Sequence, residues 1–371
     1  MSKLETIHDA TIRYEAWLTQ YVRLQHSALQ EKHKDMEEAL FSFFRATFYR
    51  WIQCFYAFCP EEQNVPVVLS VGDLHVENFG TWRDIEGRLV WGINDMDEAA
   101  YLPYSHDLIR LATSALVAIK DKEEPLDLDP KEACQQILKG YRKGIESEGS
   151  PYILIQEGEN AWLEELCAEN RKKPEKFYQK LKEDLYSLEE EFLSAYTAID
   201  ETLNAPTEEI EYATRNAGKG SLGRPRIIAK IGKKEEAFYR EAKALLPSAA
   251  FWADPKAHSP EIYYSVVLAN AVRSCDSIQS VKGGWIVRTL SPDYFRLKLN
   301  KLEKKEGKIA DANKLMEAMG YETANIHLGT WEKRKQILEN LDSREENWLH
   351  ETSKKMQEAV ERDYADYKGS A

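Results

Sequence analysis

Gly72-Asp73-Leu74-His75-Val76-Glu77-Asn78 puts an aspartate and an asparagine five residues apart on a segment that reads as a loop after a strand. An aspartate so placed can orient or deprotonate a hydroxyl nucleophile. The asparagine amide oxygen is a hard donor of the kind Mg2+ takes while keeping several waters. A second acidic group, Asn94-Asp95-Met96-Asp97-Glu98, follows another strand about 20 residues later, and Asp95 there can give a carboxylate to the same ion. Phosphoryl transfer asks for this constellation, because its catalysis is mainly positioning and neutralisation of phosphate charge. Asp, Asn and Gly also favour turns for conformational reasons alone. The specific signal is therefore the pairing of the two groups, each behind a strand.

Gly218-Lys219-Gly220-Ser221-Leu222-Gly223 is the second chemical signal. Backbone N–H groups of such a turn approach phosphates closely, although a plain glycine-rich hairpin has the same composition. A strand rather than a helix follows Gly223, unlike a dinucleotide-binding fingerprint, and no Gly-Lys-Ser/Thr ends the run, unlike a P-loop. A lid of this strand-loop-strand kind needs a lysine on the third strand to hold the α and β phosphates. Lys243 is the first choice, and Lys230 is the second if the register differs; either also reads as a solvated surface charge. His75 and His106 lack the spacing of a zinc site and read as structural, His75 packing the loop that holds Asp73.

The elements that must carry these groups follow from periodicity. Residues 1 to about 60 read as helices, with Tyr14, Trp17, Leu18 and Tyr21 on one stripe and Leu40, Phe43, Phe44, Thr47 and Trp51 on another. Val65–Val71 and Arg88–Ile93 read as buried strands, with a turn between Asp84 and Gly87. Asp107–Lys120 reads as a helix, and Asp129-Pro130 opens another with a capping residue before a first-turn proline. Leu181, Leu185, Leu188, Phe192, Tyr196 and Ile199 are spaced for one amphipathic helix. Strands are expected at 210–213, 226–231, 237–246 and 285–290, and helix over much of 292–367.

The chain has 371 residues, 43% hydrophobic and 11% aromatic, which excludes wholesale disorder and leaves room for a large core. With 50 Lys and Arg against 63 Asp and Glu, the net charge of −13 argues against a nucleic-acid binder that relies on net charge. The five cysteines are scattered without CxxC spacing, as expected of free thiols in a reducing cytosol. Residues 1–18 hold no apolar leader, and the longest apolar-leaning run, Leu111–Ile119, falls short of the roughly 20 residues that span a bilayer. The expectation is a cytoplasmic protein with no membrane and no nucleic-acid partner.

Gly72–Gly80 and Ile93–Glu98 closely resemble the signature segments of the bacterial domain-of-unknown-function family 2252. Other pieces resemble that family in the same order. Phe43-Phe44-Arg45 is similar to its Phe-Arg-Gly segment, with Ala46 in place of the glycine. His106-Asp107-Leu108-Ile109-Arg110-Leu111-Ala112 resembles its Trp-Asp-Leu-Lys-Arg-Leu-Ala segment and marks Asp107 as a supporting residue. Gly218–Gly223 resembles its Gly-x-Gly-Ser-x-Gly, Ala242-Lys243-Ala244 its Lys-Glu-Ala with Ala244 for the glutamate, and Val287-Arg288-Thr289-Leu290 its Val-Arg-x-Leu. The family is similar in turn to the protein-kinase-like fold of aminoglycoside and choline kinases. That resemblance implies Asp73 as the catalytic aspartate and Asn78 and Asp95 as metal ligands, with Asp97 beside them. It implies Gly218, Gly220, Ser221, Gly223 and Lys243 as nucleotide contacts. Glu261 is the candidate for the glutamate that pairs the lysine, and Arg45 and Arg288 approach phosphate or make structural ion pairs.

In ordinary kinases the glycine-rich lobe comes first; here it follows the catalytic-type loop by about 140 residues. The expected fold is therefore α+β, a helix-rich, bilobed, protein-kinase-like fold in circularly permuted order, which exchange of surface termini permits. Residues 1–205 would form the helical lobe with both acidic loops, 206–290 a small strand-rich lobe, and 291–371 a helical segment packed on the first. The expected function is ATP- and Mg2+-dependent phosphotransfer to a hydroxyl. The signs of Glu77, Asp97 and Glu98 suggest a small cationic acceptor. The alternatives are a catalytically inactive nucleotide-binding or scaffold protein on the same fold, and metal-assisted phosphoester hydrolysis.

Overall fold

The computed structural model describes residues 4–120, 126–155, 157–188, 192–203, 209–215, 223–233, 236–295 and 308–369. Four helices open the chain: α1 (Ile7–Leu18), α2 (His26–Glu38), α3 (Leu40–Ala46) and α4 (Phe48–Phe58). The side chain of Thr6 caps α1 by accepting the Asp9 N–H at 3.1 Å. Short strands follow, β1 (Val67–Ser70), β2 (Phe79–Arg83), β3 (Leu89–Ile93) and β4 (Ala100–Pro103), and then two long helices, α5 (Tyr104–Ile119) and α6 (Pro130–Glu146). Asp129 caps α6 on the Glu132 N–H at 2.9 Å, with Pro130 in the first turn as its sequence predicts.

The middle of the chain runs β5 (Tyr152–Ile153), α7 (Ala161–Asn170), α8 (Pro174–Glu183), β6 (Leu185–Tyr186), α9 (Leu193–Asp200), β7 (Ile210–Arg215), β8 (Arg226–Ile231) and β9 (Phe238–Ala244). The last part runs α10 (Ala249–Ala253), α11 (Tyr264–Asn270), β10 (Ser280–Lys282), β11 (Trp285–Leu290), α12 (Lys308–His327), α13 (Arg334–Asp342) and α14 (Trp348–Gly369). The class is α+β, and every named strand pairs antiparallel: β1 with β4, a sheet β2-β3-β5, and a six-stranded sheet β10-β11-β9-β8-β7-β6. No described helix is long and apolar enough to cross a membrane.

One core gathers α1, α3–α6, the short strands and α12–α14. Helices α6 and α12 cross so closely that a Cβ at Gly140 would stand 1.8 Å from the Glu317 carbonyl oxygen, so only glycine fits there. The large sheet has its own apolar layer, in which Ile227, Ala229, Ala242 and Val287 pack under Ala195, Ala198 and Ile199 of α9. From the other side of that sheet, Ile286 joins the main core.

The single helix expected from Leu181 to Ile199 is not formed. Helix α8 stops before Asp184, and Leu185–Tyr186 adds to the sheet edge opposite Arg215 and Thr214. The apolar residues of that stretch cover two different surfaces. Leu181 packs with Ile228, Tyr239 and Leu290, while Leu188, Phe192 and Tyr196 lie against the layer under α9. Helical spacing cannot tell one continuous stripe from two short elements that share it.

Candidate functional site

The Asp73 loop starts where β1 ends, and it is held from below by Asp107 in the first turn of α5. The Asp107 carboxylate accepts the N–H of Val71 at 2.7 Å and of Gly72 at 3.0 Å. It also meets His327 Nε2 at 3.1 Å and His106 Nδ1 at 3.4 Å. Tyr141 OH lies 2.8 Å from His327 Nδ1, and Trp51 Nε1 donates to His106 Nε2 at 3.3 Å, which leaves His106 Nδ1 as the donor to the carboxylate. Burial acts to raise the Asp107 pKa, but the bonds from His106 and His327 outweigh it and hold the carboxyl well below the usual range. Burial lowers the His106 pKa. Gly72 has φ +84°, and a Cβ there would strike the Glu98 carbonyl at 2.2 Å, so the loop can pass the second acidic group only as glycine.

Asp73 Oδ1 is gripped by Arg110, from Nε at 3.0 Å and Nη2 at 2.5 Å. The guanidinium lies over the Phe44 ring at 3.8 Å and also donates to the Phe44 carbonyl. Burial raises the Asp73 pKa against the lowering pull of Arg110. The side chain nonetheless stays 20% exposed, which leaves the carboxylate reachable. Asn78 Nδ2 donates to the backbone oxygens of Asp73 at 3.2 Å and Asp95 at 2.8 Å and so ties the two acidic loops together. Its Oδ1 is buried and has no hydrogen-bond partner. A buried acceptor left this way is costly, and it is the donor type that a hard cation uses.

Asp95 follows β3. Its carboxylate oxygens stand 3.2 and 3.4 Å from Lys243 Nζ on β9, and Asp97 makes a close ion pair with the same ammonium. The Asp97 carboxyl is pushed up to about 6, first by burial and then by the charge of Asp95, with Lys243 opposing both. Asp73, Asn78, Asp95, Asp97 and Lys243 therefore form one connected cluster, although Lys243 is far from the rest in sequence. Asp95 with the Asn78 oxygen fits Mg2+, which takes one or two carboxylates and completes its shell with water and substrate phosphate. Among the described residues, no group of three His, Cys, Asp or Glu side chains could hold a metal ion.

The other expected residues fall in several places. Lys230 is not in the cluster: it pairs with Glu211 of β7 at 2.8 Å on the sheet's outer part. Glu261 is exposed in the segment before α11, where its N–H bonds the Ser259 hydroxyl, and it does not reach Lys243. The carboxylates that reach Lys243 come from the Asp95–Asp97 turn. Arg45 makes a close ion pair with Glu77, and His75 Nδ1 accepts the Glu77 N–H at 3.2 Å, which fits a loop-packing role. Arg288 joins Arg226 on the buried carboxylate of Glu241, at 2.7 and 2.6 Å. Burial would raise the Glu241 pKa, and the two arginines override it. Gly223 accepts the Gln25 N–H at 2.9 Å, tying the end of the glycine-rich run to the start of α2. Gly218, Gly220 and Ser221 lie outside the described residues.

Three side chains of this region went unassigned in the sequence. Arg110 is one helical turn beyond Asp107, a spacing that puts both on one face and could have been read. Arg224, next to Gly223, pairs with Glu98 at 2.9 Å and donates to Tyr14 OH at 3.0 Å. Lys32 is buried, its ammonium 5.7 Å from the centre of the Tyr49 ring, and no motif flagged it. The acids that suggested a cationic acceptor are each matched by a cation: Glu77 by Arg45, Asp97 by Lys243 and Glu98 by Arg224.

A family described as an uncharacterized protein conserved in bacteria, domain-of-unknown-function family 2252, matches residues 23–209, just over half of the chain, and the chain belongs to it. No curated protein and no solved structure matches the chain.

Proposed function

We propose that this family member is an ATP- and Mg2+-dependent phosphotransferase on a protein-kinase-like fold in permuted order. In this reading the sheet β6–β11 is the small lobe and the helices with both acidic loops are the large one. The observation that carries it is the Asn78 side chain. It is bonded through its amide nitrogen to the backbones of Asp73 and Asp95, while its oxygen is buried and unpartnered, and the side chain of that same Asp95 pairs with Lys243. The order along the chain agrees: an Asp, an Asn five residues on, a β-hairpin, and then the metal-type Asp.

Asn78 and Asp95 would hold Mg2+, which when bound offsets the charge of the transferring phosphate. Lys243 would leave Asp97 and meet the nucleotide phosphates. Asp73 orients the acceptor hydroxyl and takes its proton, and the Arg110 grip fixes the direction of its carboxylate. Asp107 acts through the loop backbone and is a positioning residue.

A second reading, nucleotide binding without transfer, is favoured by one feature. Lys243 engages Asp95 and Asp97 together, which occupies the metal-type carboxylate. Calorimetry of ATP with and without Mg2+ tests the first step. Binding that requires Mg2+ and weakens at least tenfold in Asp95→Asn supports the cleft. Equal binding by the variant, or no binding by wild type, overturns it. Single-turnover ADP formation that disappears in Asp73→Asn while ATP binding stays separates transfer from binding alone.

A further inference from the structure

A cavity of about 370 Å3 lies between the ends of β11 and β2 and reaches Asn94, next to Asp95. That volume suits a small organic ligand. Its charged lining is one-sided: Lys172, Arg215, Arg273 and Arg288 face a single carboxylate, Asp276. Asp276 is already satisfied by neutral donors, the Tyr294 hydroxyl at 2.6 Å and the Ile278 N–H at 2.8 Å. Arg288 is committed to Glu241, which it shares with Arg226.

The two remaining guanidiniums have donors to spare. Arg273 spends Nη1 on the Ile93 carbonyl at 3.2 Å, while its Nε and Nη2 have no partner. Arg215 reaches Asp184 only at 3.5 Å, and its Nε has no partner. Arginine forks with unused N–H groups are the protein's means of recognising phosphate. The apolar part of the wall includes Trp82, whose ring lies 4.7 Å under the Arg273 guanidinium, together with Phe177 and Phe295.

We infer that this cavity binds a phosphate monoester, its dianion held by Arg273 and Arg215 and its organic part against the aromatic wall. The inference rests on the phosphotransferase reading only in making that ester a ligand of the same reaction. It gives the ligand a negative charge, opposite to the cationic acceptor that the acidic sequence motifs suggest. A nucleotide's own phosphate and a phosphorylated co-substrate share this chemistry.

The test uses the full chain and three probes that share a phenyl ring, phenyl phosphate, phenol and benzylamine, titrated against tryptophan fluorescence, with Trp82→Phe identifying the signal of the cavity wall. Phenyl phosphate is expected to bind, with benzylamine silent and phenol at least tenfold weaker. Arg273→Gln and Arg215→Gln are each expected to weaken phenyl phosphate tenfold or more. Because Arg273 also braces Ile93, Arg215→Gln is the decisive variant if Arg273→Gln unfolds. ATP displacing the probe assigns the site to a nucleotide phosphate; ATP binding beside it assigns the site to a co-substrate.

Benzylamine binding as well as phenyl phosphate, or phenyl phosphate binding unchanged in Arg215→Gln, overturns the inference. So does the absence of any phenyl phosphate signal at 10 mM, about the upper end of weak specific binding. Asp95→Asn separates the two proposals: it should weaken Mg2+-dependent ATP binding at least tenfold and leave phenyl phosphate binding intact.

Discussion

Asp107→Asn is the most direct perturbation of the loop that carries Asp73. The wild-type carboxylate accepts through both oxygens: Oδ2 takes Val71 N–H at 2.7 Å and His327 at 3.1 Å, and Oδ1 takes Gly72 N–H at 3.0 Å. An amide has one acceptor to give. With its oxygen toward Val71, its NH2 confronts the Gly72 N–H; with the oxygen toward Gly72, the Val71 N–H is stranded. Either orientation leaves one buried backbone donor unmet, at about 1–3 kcal/mol. The surviving bonds lose their charge assistance, for about another 1–2 kcal/mol. A loss of about 2–5 kcal/mol is survivable against the roughly 5–15 kcal/mol of a folded domain. At roughly 2 °C per kcal/mol for a large chain, the melting midpoint should fall by about 4–10 °C.

Differential scanning calorimetry measures that shift, and ATP calorimetry at a temperature where the variant is folded measures the loop. The variant should bind MgATP less well although Asp107 touches no ligand. A midpoint within a degree of wild type, with unchanged ATP binding, would refute the claim that this carboxylate sets the loop. The pH dependence has a definite sign. A carboxyl held below its unfolded value gives stability that is present above about pH 4 and lost as pH falls toward the folded value. The acid limb of the wild-type stability curve should therefore be shallower in Asp107→Asn.

Lys243→Met should leave Asp95 and Asp97 side by side without their shared cation. The remaining repulsion raises the Asp97 pKa beyond about 6, so urea unfolding should show a larger loss at pH 8 than at pH 5, and a loss independent of pH would count against the pairing. Burial lowers the Lys32 pKa to about 8, so the folded state resists its charge. Lys32→Met removes that penalty, worth up to about 3 kcal/mol at neutral pH, and should raise the midpoint at pH 7; a lowered midpoint would show that the ammonium is used for stability. Burial raises the Glu322 pKa to about 7, so stability it supplies below about pH 4.5 should drain away as pH rises through 7. Glu322→Gln should flatten that slope, and an unchanged slope would assign it elsewhere.

The helices and strands around the site were legible where one periodicity served one surface. β8 and β11 run as their β-branched residues indicate, and α5 and α6 start close to where sequence signals put them. The stretch from Leu181 to Ile199 was not, because alternate parts of its apolar stripe face different layers and the chain changes direction at Asp184. β2 carries no strand signal of its own, since Phe79-Gly80-Thr81-Trp82-Arg83 shows no clean alternation and is buried almost throughout. In the site, Asp73, Asn78 and Asp95 announce themselves by type and spacing. Glu261 and Lys230 stand apart from the cluster: a charge at a plausible distance along the chain has no sequence mark for the face it occupies. Arg224 and Glu98 are 126 residues apart and find each other only through packing.

The cluster is assembled from two sources with different requirements. Its acidic half is local. Asn78 and Asn94 flank a hairpin in which Phe79 pairs with Ile93, and the Asn94 N–H continues that ladder onto the Asn78 carbonyl at 3.2 Å. The hairpin register thus brings Asp95 close to the Asn78 end of the Asp73 loop, because a β-ladder fixes which residues stand opposite. Its cationic half is remote. Lys243 arrives on β9, where it is locked between Arg226 and Ile286 on the neighbouring strands. Until that sheet docks, Asp95 and Asp97 face each other as uncompensated acids, and docking relieves them through one ammonium. The position of the sheet in the sequence is then of little consequence to the site. What matters is that the face of β9 bearing Lys243 meets the end of β3, and that contact is available whichever segment is synthesised first.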